Sequence, residues 1–207
     1  MDDQAMRVHS GILLIITIVF WCLWQPTSWA AGSVVVFGDD LDFPPYSFLD
    51  AQGQPTGFSV ELVQAIGKLM GWDVVIELDH WSRVKDKLAN GEIDAIAGMF
   101  YTDERAQRFD FALRHAVASG EVFTREGDGI RSLDELQNQR VAVQDGDVVH
   151  EFLRALELDI ELVPLPTVQD ALRLVSAGEV DFAAVLRVPG YYAIERYGLT
   201  NVQGNGV

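Results

Sequence analysis

Hydrophobic residues along the chain alternate between short apolar runs and longer stretches with a helical period. Residues 34–37 form an apolar run that predicts a buried strand, and residues 59–70 carry apolar side chains on one helical face. Gly71 is expected to end that helix. Because strands alternate with helices, we predict an α/β fold with mostly parallel sheets covered on both faces. Further strands are predicted at 72–78, 94–98, 140–143, 160–163 and 180–186, further helices at 83–90, 132–136, 150–156, 167–177 and 190–197, and an extended crossing segment at 114–123.

One unit of this pattern occurs twice in the chain. The residues Gly-Glu-Ile-Asp-Ala begin at Gly91, and Gly-Glu-Val-Asp-Phe begins at Gly178, 87 residues later. Each glycine closes a helical segment, and each motif opens a short apolar run. Two copies of one helix–glycine–strand unit predict two similar α/β lobes. A cleft between two such lobes is a common place for a small molecule to bind.

The N-terminal segment, residues 1–30, has the composition of a secretory signal peptide. An apolar run at 11–24 follows Arg7, and Ser28-Trp29-Ala30 supplies small residues for cleavage after Ala30. The chain is therefore predicted to be periplasmic. An uncleaved segment that anchors the protein in the membrane is the alternative.

Charge and cysteine usage narrow the function classes. The net charge of −16 disfavours nucleic acid and anionic membrane surfaces as partners. The single cysteine, Cys22, lies inside the apolar run, so the exported chain is expected to contain no disulfide and no cysteine metal site. Three histidines follow residue 30, at positions 80, 115 and 150, and their scatter gives metal binding little support. No cofactor is expected.

Several motifs, in this order, resemble one known family. They are VVVFGDDLDFPPY at 34–46, GEIDAIAGM followed by TDER within 91–105, and FDFA at 109–112. Together they are similar to the family 3 extracytoplasmic solute-binding domain. The motifs SLDEL at 132–136 and GYYAIERYGLTNV at 190–202 are closer to the branch found in sensor histidine kinases and diguanylate cyclases.

The resemblance implies a type II periplasmic binding protein fold with two hinged lobes. The first lobe is expected at 34–114 and the second lobe at 120–199. Residues 200–207 are expected to begin a crossover that returns to the first lobe, and the remainder of that return is expected to be missing.

Arg105 is the residue on which the binding prediction depends. It lies one turn inside a helix start that Thr102 caps, and a guanidinium there can pair with a carboxylate through two parallel hydrogen bonds. The resemblance implies the same role, because family members hold the ligand's α-carboxylate with the matching arginine. Backbone groups of Gly98 and Met99, where a strand is predicted to end, are also expected to contact the ligand.

Aromatic and acidic residues are expected to form the walls of the cleft. By resemblance, Asp40, Phe43 and Trp81 match cleft positions, with core packing as the alternative for the aromatic residues. Asp147 is predicted to cap a helix of the second lobe or to face the ligand. The predicted ligand-binding residues are Asp40, Phe43, Tyr46, Trp81, Gly98, Met99, Thr102, Arg105, Asp147 and Arg187.

Arg187 suggests a particular class of ligand. Family members often place an acid just after the last strand of the second lobe, whereas here Leu186 stands there and Arg187 follows. Because Arg187 would supply a second cation beside Arg105, our hypothesis is that the ligand is a dicarboxylate or another anion.

The sequence therefore predicts a solute-binding domain and not an enzyme. It would bind a small carboxylate-bearing ligand, amino-acid-like or anionic, and would serve a membrane transporter of the ABC type or a downstream signalling domain. One alternative is an enzyme of the same fold, similar to cyclohexadienyl dehydratase, with Asp40 or Asp147 as the acid. The other alternative is a regulatory domain of a cell-wall lytic enzyme.

Overall fold

The computed structural model describes residues 32–207. The predicted signal peptide at 1–30 lies outside these residues. The first lobe contains a parallel sheet in which β1 (Val34–Asp40) lies between β5 (Asp73–Asp79) and β6 (Ala95–Ile96). Its other elements are an antiparallel sheet of β2 (Asp42–Phe43), β3 (Ser47–Leu49) and β4 (Pro55–Thr56), and the helices α1 (Phe58–Met70), α2 (Trp81–Ala89) and α3 (Asp103–Ala106).

The second lobe contains a sheet of five strands in the order β11-β7-β10-β8-β9. These strands are β7 (Gly120–Arg125), β8 (Arg140–Gln144), β9 (Glu161–Leu165), β10 (Phe182–Leu186) and β11 (Val202–Gly204), and the helices are a 3-10 helix (Leu133–Leu136), α4 (Val148–Ala155), α5 (Val168–Ala177) and α6 (Arg187–Tyr197). Residues 202–204, which the sequence assigns to a return crossover, pair with β7 in this sheet.

The prediction of mostly parallel sheets holds only for the strands that helices connect. β8 is parallel to β9 and β10, as predicted. β7 is antiparallel to both β10 and β11, and β2, β3 and β4 are antiparallel to one another. The reason is the connections: β7 follows the irregular segment 107–119 and not a helix, while the short β2–β4 strands are joined by turns.

The two copies of the repeated motif adopt the same local structure, as predicted. Gly91 and Gly178 both have left-handed backbones, with φ of 71° and 74°, which lets each chain turn out of its helix. Two residues later, Ile93 and Val180 are buried with 4% exposure each. Two residues further on, Ala95 and Phe182 begin β6 and β10, so each copy delivers a strand to its own sheet.

The core of the second lobe lies on both faces of its sheet. Helix α5 covers one face and buries Leu172 and Val175 completely, and the other face packs against α4 and the 3-10 helix, which buries Leu136. Phe43 of the first lobe packs against the clusters on both faces. The two lobes are therefore in direct apolar contact where the first sheet ends.

Several boundaries of strands and helices differ from the prediction, and each difference places a predicted ligand-binding residue inside a regular element. β1 continues to Asp40, beyond the predicted end at residue 37, because β5 pairs along its whole length. Phe43 lies in β2, although the two prolines after it led us to predict irregular structure from that residue. Helices α2 and α6 begin at Trp81 and Arg187, earlier than predicted. Across residues 32–207, none of the helices combines the length and apolar character that a membrane span requires.

Candidate functional site

A cleft lies between the lobes where β1, β8 and β10 end. The carboxyl ends of strands in open α/β sheets are the usual place for ligand sites, because the connecting loops leave a crevice there. The cleft has a cavity volume of about 30 Å³, and all the empty space between its lining residues, open solvent included, amounts to about 310 Å³. The lining residues are Asp39, Asp40, Phe43, Trp81, Gly98, Phe100 and Arg105 from the first lobe, and Gln144, Asp147, Val148 and Leu186 from the second.

Arg105 is buried in this cleft with its guanidinium fully engaged on one edge. Thr102 caps α3, accepting a hydrogen bond from the Arg105 backbone at 3.1 Å, and this fixes where the side chain starts. The Nε atom donates to Glu151 at 2.8 Å, and one terminal nitrogen, Nη1, donates to the Phe100 carbonyl at 3.0 Å. The guanidinium carbon lies 5.6 Å from the centre of the Trp81 ring, within the range of a cation–π contact.

The carbonyl oxygen of Gly146 is one point where the first lobe contacts the second. It accepts hydrogen bonds from Trp81 Nε1 at 2.8 Å, from Arg105 Nη2 at 3.3 Å and from Lys85 Nζ. Lys85 Nζ also lies 3.1 Å from Glu151 Oε1. Three donors from the first lobe thus meet one turn of the second lobe.

Asp39 and Asp40 end β1 and are buried at the base of the cleft, with 4% and 2% exposure. Burial raises the pKa of each carboxyl group to about 7. Asp40 Oδ1 accepts from the Asp42 backbone at 3.1 Å, and its Oδ2 accepts from the Gln144 side chain. Asp39 Oδ2 has no hydrogen-bond partner within residues 32–207. A buried carboxylate oxygen without a partner is costly in a folded protein.

Asp147 caps α4 from the opposite side of the cleft. Its Oδ1 accepts from the backbones of Val149 at 2.7 Å and His150 at 2.9 Å, as expected for an N-cap residue. Its Oδ2, like that of Asp39, lacks a partner in the described part of the chain. Burial raises the pKa of Asp147 to about 6.

The structure brings together in the cleft lining six of the ten residues predicted to bind ligand: Asp40, Phe43, Trp81, Gly98, Arg105 and Asp147. The other four lie elsewhere. Tyr46 stacks on Phe43 with ring centres 5.6 Å apart, Thr102 caps α3, and Met99 follows Gly98 along the chain. Arg187 is 58% exposed and lies 3.2 Å from the buried carboxylate of Glu121.

Sequence reasoning missed several residues of the site. Gln144 and Leu186 are the last residues of β8 and β10, so the rule that sites form at strand ends was a signal for both. Asp39 looked like part of a turn because β1 was predicted to end too early. Glu151 and Lys85 gave no signal, since their contacts join residues 46 and 66 positions apart.

The sequence matches bacterial extracellular solute-binding proteins, family 3, over residues 35–145. Among solved structures, a histidine kinase sensor domain with similarity to periplasmic binding proteins is 36% identical, with a TM-score of 0.81, over 84% of this chain and 77% of that one. An ancestral arginine-binding protein bound to glutamine has a TM-score of 0.78 at 24% identity, over 84% of this chain and 79% of that one, a likeness of fold alone.

Curated relatives include the L-cystine-binding protein TcyJ of Escherichia coli K12, which is 28% identical over 59% of this chain and 47% of its own length. The arginine-binding extracellular protein ArtP of Bacillus subtilis 168 is 25% identical over 68% of this chain and 57% of its own length. The chain thus spans about half the length of these relatives. The two-lobed periplasmic binding protein fold and the resemblance to its sensor branch are confirmed. This chain belongs to the bacterial extracellular solute-binding proteins of family 3.

Proposed function

We propose that this protein binds a small amino-acid-like solute, with both a carboxylate and an ammonium group, in the cleft between its lobes. The observation that carries the proposal is the charge of the lining, which contains the guanidinium of Arg105 and the carboxyl groups of Asp39, Asp40 and Asp147. A zwitterion complements both signs of charge. The names of relatives that bind cystine and arginine support the same class of solute.

Arg105 would hold the carboxylate of the solute. Its buried guanidinium is held in place by the Phe100 carbonyl and the Trp81 ring, so little side-chain entropy is lost on binding. A charge-assisted hydrogen bond to a carboxylate contributes about 1.5–3 kcal/mol.

The buried acids would hold the ammonium group. Asp39 and Asp147 each have a carboxylate oxygen without a partner, and burial raises the pKa of both groups. An ammonium group placed beside them would favour their ionised forms and lower those pKa values again. Since Arg187 lies outside the lining and three acids line the cleft, this arrangement favours a zwitterion over the dicarboxylate that the sequence suggested. We propose that these acids bind the solute and do not catalyse a reaction.

The biological output that we propose first is sensing across a membrane. The sensor domain is 36% identical over most of this chain, whereas four relatives named as cystine- or arginine-binding proteins are 22–28% identical over shorter segments. Uptake is the second candidate, supported by relatives named as arginine-binding proteins of ABC transporters. In both cases a solute would act by binding one arrangement of the lobes better than another.

Calorimetric titration of the purified chain with L-arginine, L-glutamine, L-cystine and succinate tests the proposal. We expect one of the amino acids to bind more tightly than succinate, and Arg105→Ala to weaken that binding by at least about 100-fold. Arg187→Ala is the matched control, because it removes the same charge outside the lining. Equal binding by Arg105→Ala, or tighter binding of succinate, would contradict the assignment. Incubation with prephenate, followed by ultraviolet absorbance, should show no turnover.

A further inference from the structure

The carboxylate of Glu151 accepts a hydrogen bond from Nε of Arg105, the residue that the proposed function assigns to the carboxylate of the solute. We propose that Glu151 is a tethered competitor, whose carboxylate holds Arg105 when the cleft contains no solute and is displaced when the solute's carboxylate binds. The residue at position 151 would thereby set the affinity of the protein. This inference rests on the proposed function for the identity of the competing group.

The geometry joins Glu151 to two cations of the opposite lobe. Glu151 lies in the first turn of α4, and its Oε2 accepts from Arg105 Nε at 2.8 Å. Its Oε1 accepts from Lys85 Nζ at 3.1 Å. The three side chains are 21%, 4% and 18% exposed, so this network is largely shielded from water. Shielded ion pairs are weakened less by salt than exposed pairs are.

Glu151 differs in charge from the other acids around the cleft. Burial alone would raise its pKa, but the neighbouring Arg105 and Lys85 outweigh that effect and hold the pKa of Glu151 below its ordinary value. Asp39, Asp40 and Asp147 have raised pKa values instead. Glu151 is therefore ionised at neutral pH and has the same chemistry as the carboxylate of an amino acid.

The solute and Glu151 compete for the same edge of the guanidinium. Arginine presents five N–H groups in a fixed plane, and a carboxylate takes two of them on one edge. In Arg105 the edge formed by Nε and Nη2 already donates to Glu151 and to the Gly146 carbonyl. The cavity of about 30 Å³ has room for about two or three water molecules. An amino acid does not fit until the lobes separate, and their separation breaks the contact between Arg105 and Glu151.

The sign of one effect distinguishes competition from cooperation. If Glu151 is displaced on binding, removing its charge destabilises only the closed form without solute, and the solute binds more tightly. If Glu151 stays on Arg105 while solute is bound, removing its charge destabilises the bound form, and the solute binds less tightly. Glu151→Gln separates these cases because the amide keeps the shape of the side chain and removes its charge.

The first measurement needs no solute. Asp86 of α2 and Ala155 of α4 are both exposed. Spin labels attached after Asp86→Cys and Ala155→Cys, in the full chain with Cys22→Ser, report the distance across the cleft. We expect Glu151→Gln to lengthen this distance. Glu157→Gln is the matched control, because it removes the same charge from an exposed site just after α4 and should leave the distance unchanged. An unchanged distance in Glu151→Gln would overturn the inference.

The second measurement is a titration with L-arginine and L-glutamine as probes. One of these probes is expected to bind to the unchanged protein. We expect Glu151→Gln to bind that same probe roughly tenfold more tightly than the unchanged protein does. Glu151→Asp, which keeps the charge but withdraws it by one methylene, should fall between the two. Weaker binding by Glu151→Gln would overturn the proposal that Glu151 competes with the solute. It would mean that Glu151 stays on Arg105 while the solute is bound. If the distance between the labels lengthens in Glu151→Gln but neither probe binds, the contact between Glu151 and Arg105 does hold the lobes closed. That result would count against the proposed function instead.

Discussion

The side-chain amide of Gln144 donates a hydrogen bond to the carboxylate of Asp40 and so joins the ends of β8 and β1. Both residues are buried, with 1% and 2% exposure. This contact lies at the base of the cleft, while the contacts of Arg105 and Lys85 with Glu151 connect α3 and α2 to α4. The lobes are thus connected through polar contacts whose strength depends on the charges of the side chains that form them.

We predict that the protein becomes less stable as the pH rises from about 5 to 8. Asp39, Asp40 and Asp147 have pKa values of about 7, 7 and 6 in the folded protein, against 3.8 ordinarily. In this range the folded state binds more protons than the unfolded chain, so raising the pH favours unfolding. Each pKa unit corresponds to about 1.4 kcal/mol, and we expect the free energy of unfolding to fall by more than about 1 kcal/mol.

Urea unfolding at several pH values measures this dependence. Asp40→Asn removes one of the titrating groups and should flatten the profile. The contribution of Glu151 has the opposite sign, because its pKa is lowered, and it is lost as the pH falls below its ordinary value of 4.5. Stability that rises steadily from pH 5 to 8 would mean that these acids are not buried as described.

The repeated glycines should be equally sensitive to substitution. Gly91→Ala and Gly178→Ala would each force alanine into a left-handed backbone, which costs about 1–2 kcal/mol. An added methyl group meets no atom within 4 Å at Gly91 and only the Arg125 side chain, at 3.7 Å, at Gly178. The backbone, and not crowding, therefore sets the cost. The melting temperatures of the two variants should fall by similar amounts. A lower melting temperature for only one variant would contradict the equivalence of the two units.

Replacing the cap of α4 should lower stability by a moderate amount. Asp147→Ala leaves the N–H groups of Val149 and His150 without their acceptor, and the loss of such a cap costs about 1 kcal/mol. Asp147→Ser retains a capping oxygen and serves as the control. Urea unfolding at pH 7 should show the loss in the alanine variant and little change in the serine variant.

Two leucines test the placement of the core. Leu172 on α5 is fully buried, and Leu172→Ala is expected to lower the free energy of unfolding by about 2–5 kcal/mol. Leu69 on α1 is 86% exposed, and Leu69→Ala should change it by less than about 0.5 kcal/mol. Comparable losses at both positions would contradict the burial described for these helices.

The hydrophobic pattern was sufficient to predict most elements of the fold. Each segment that was predicted as a helix or strand within the lobes contains an element of that type, because burial of one face imposes a period that local sequence records. The boundaries were less accurate where pairing extends an element beyond its apolar run. β1 continues through Gly38, Asp39 and Asp40 because β5 supplies a partner at every position.

The cleft was only partly predictable. Residues that follow a strand or cap a helix, such as Asp40 and Asp147, are visible in the sequence because their local role constrains them. The contact between Arg105 and Glu151 depends on how two lobes meet, and no local pattern encodes it. The direction of β7 was missed for a similar reason, since the irregular segment before it carries no periodic signal.

The meeting point of the lobes at Gly146 has a consequence for how this protein can change. The acceptor there is a main-chain oxygen, which is present whatever residue is encoded. The position favours glycine, because φ is 66°, in the left-handed region. Substitutions that spare the three donor side chains, those of Trp81, Lys85 and Arg105, therefore leave this junction of the two halves intact over evolutionary time.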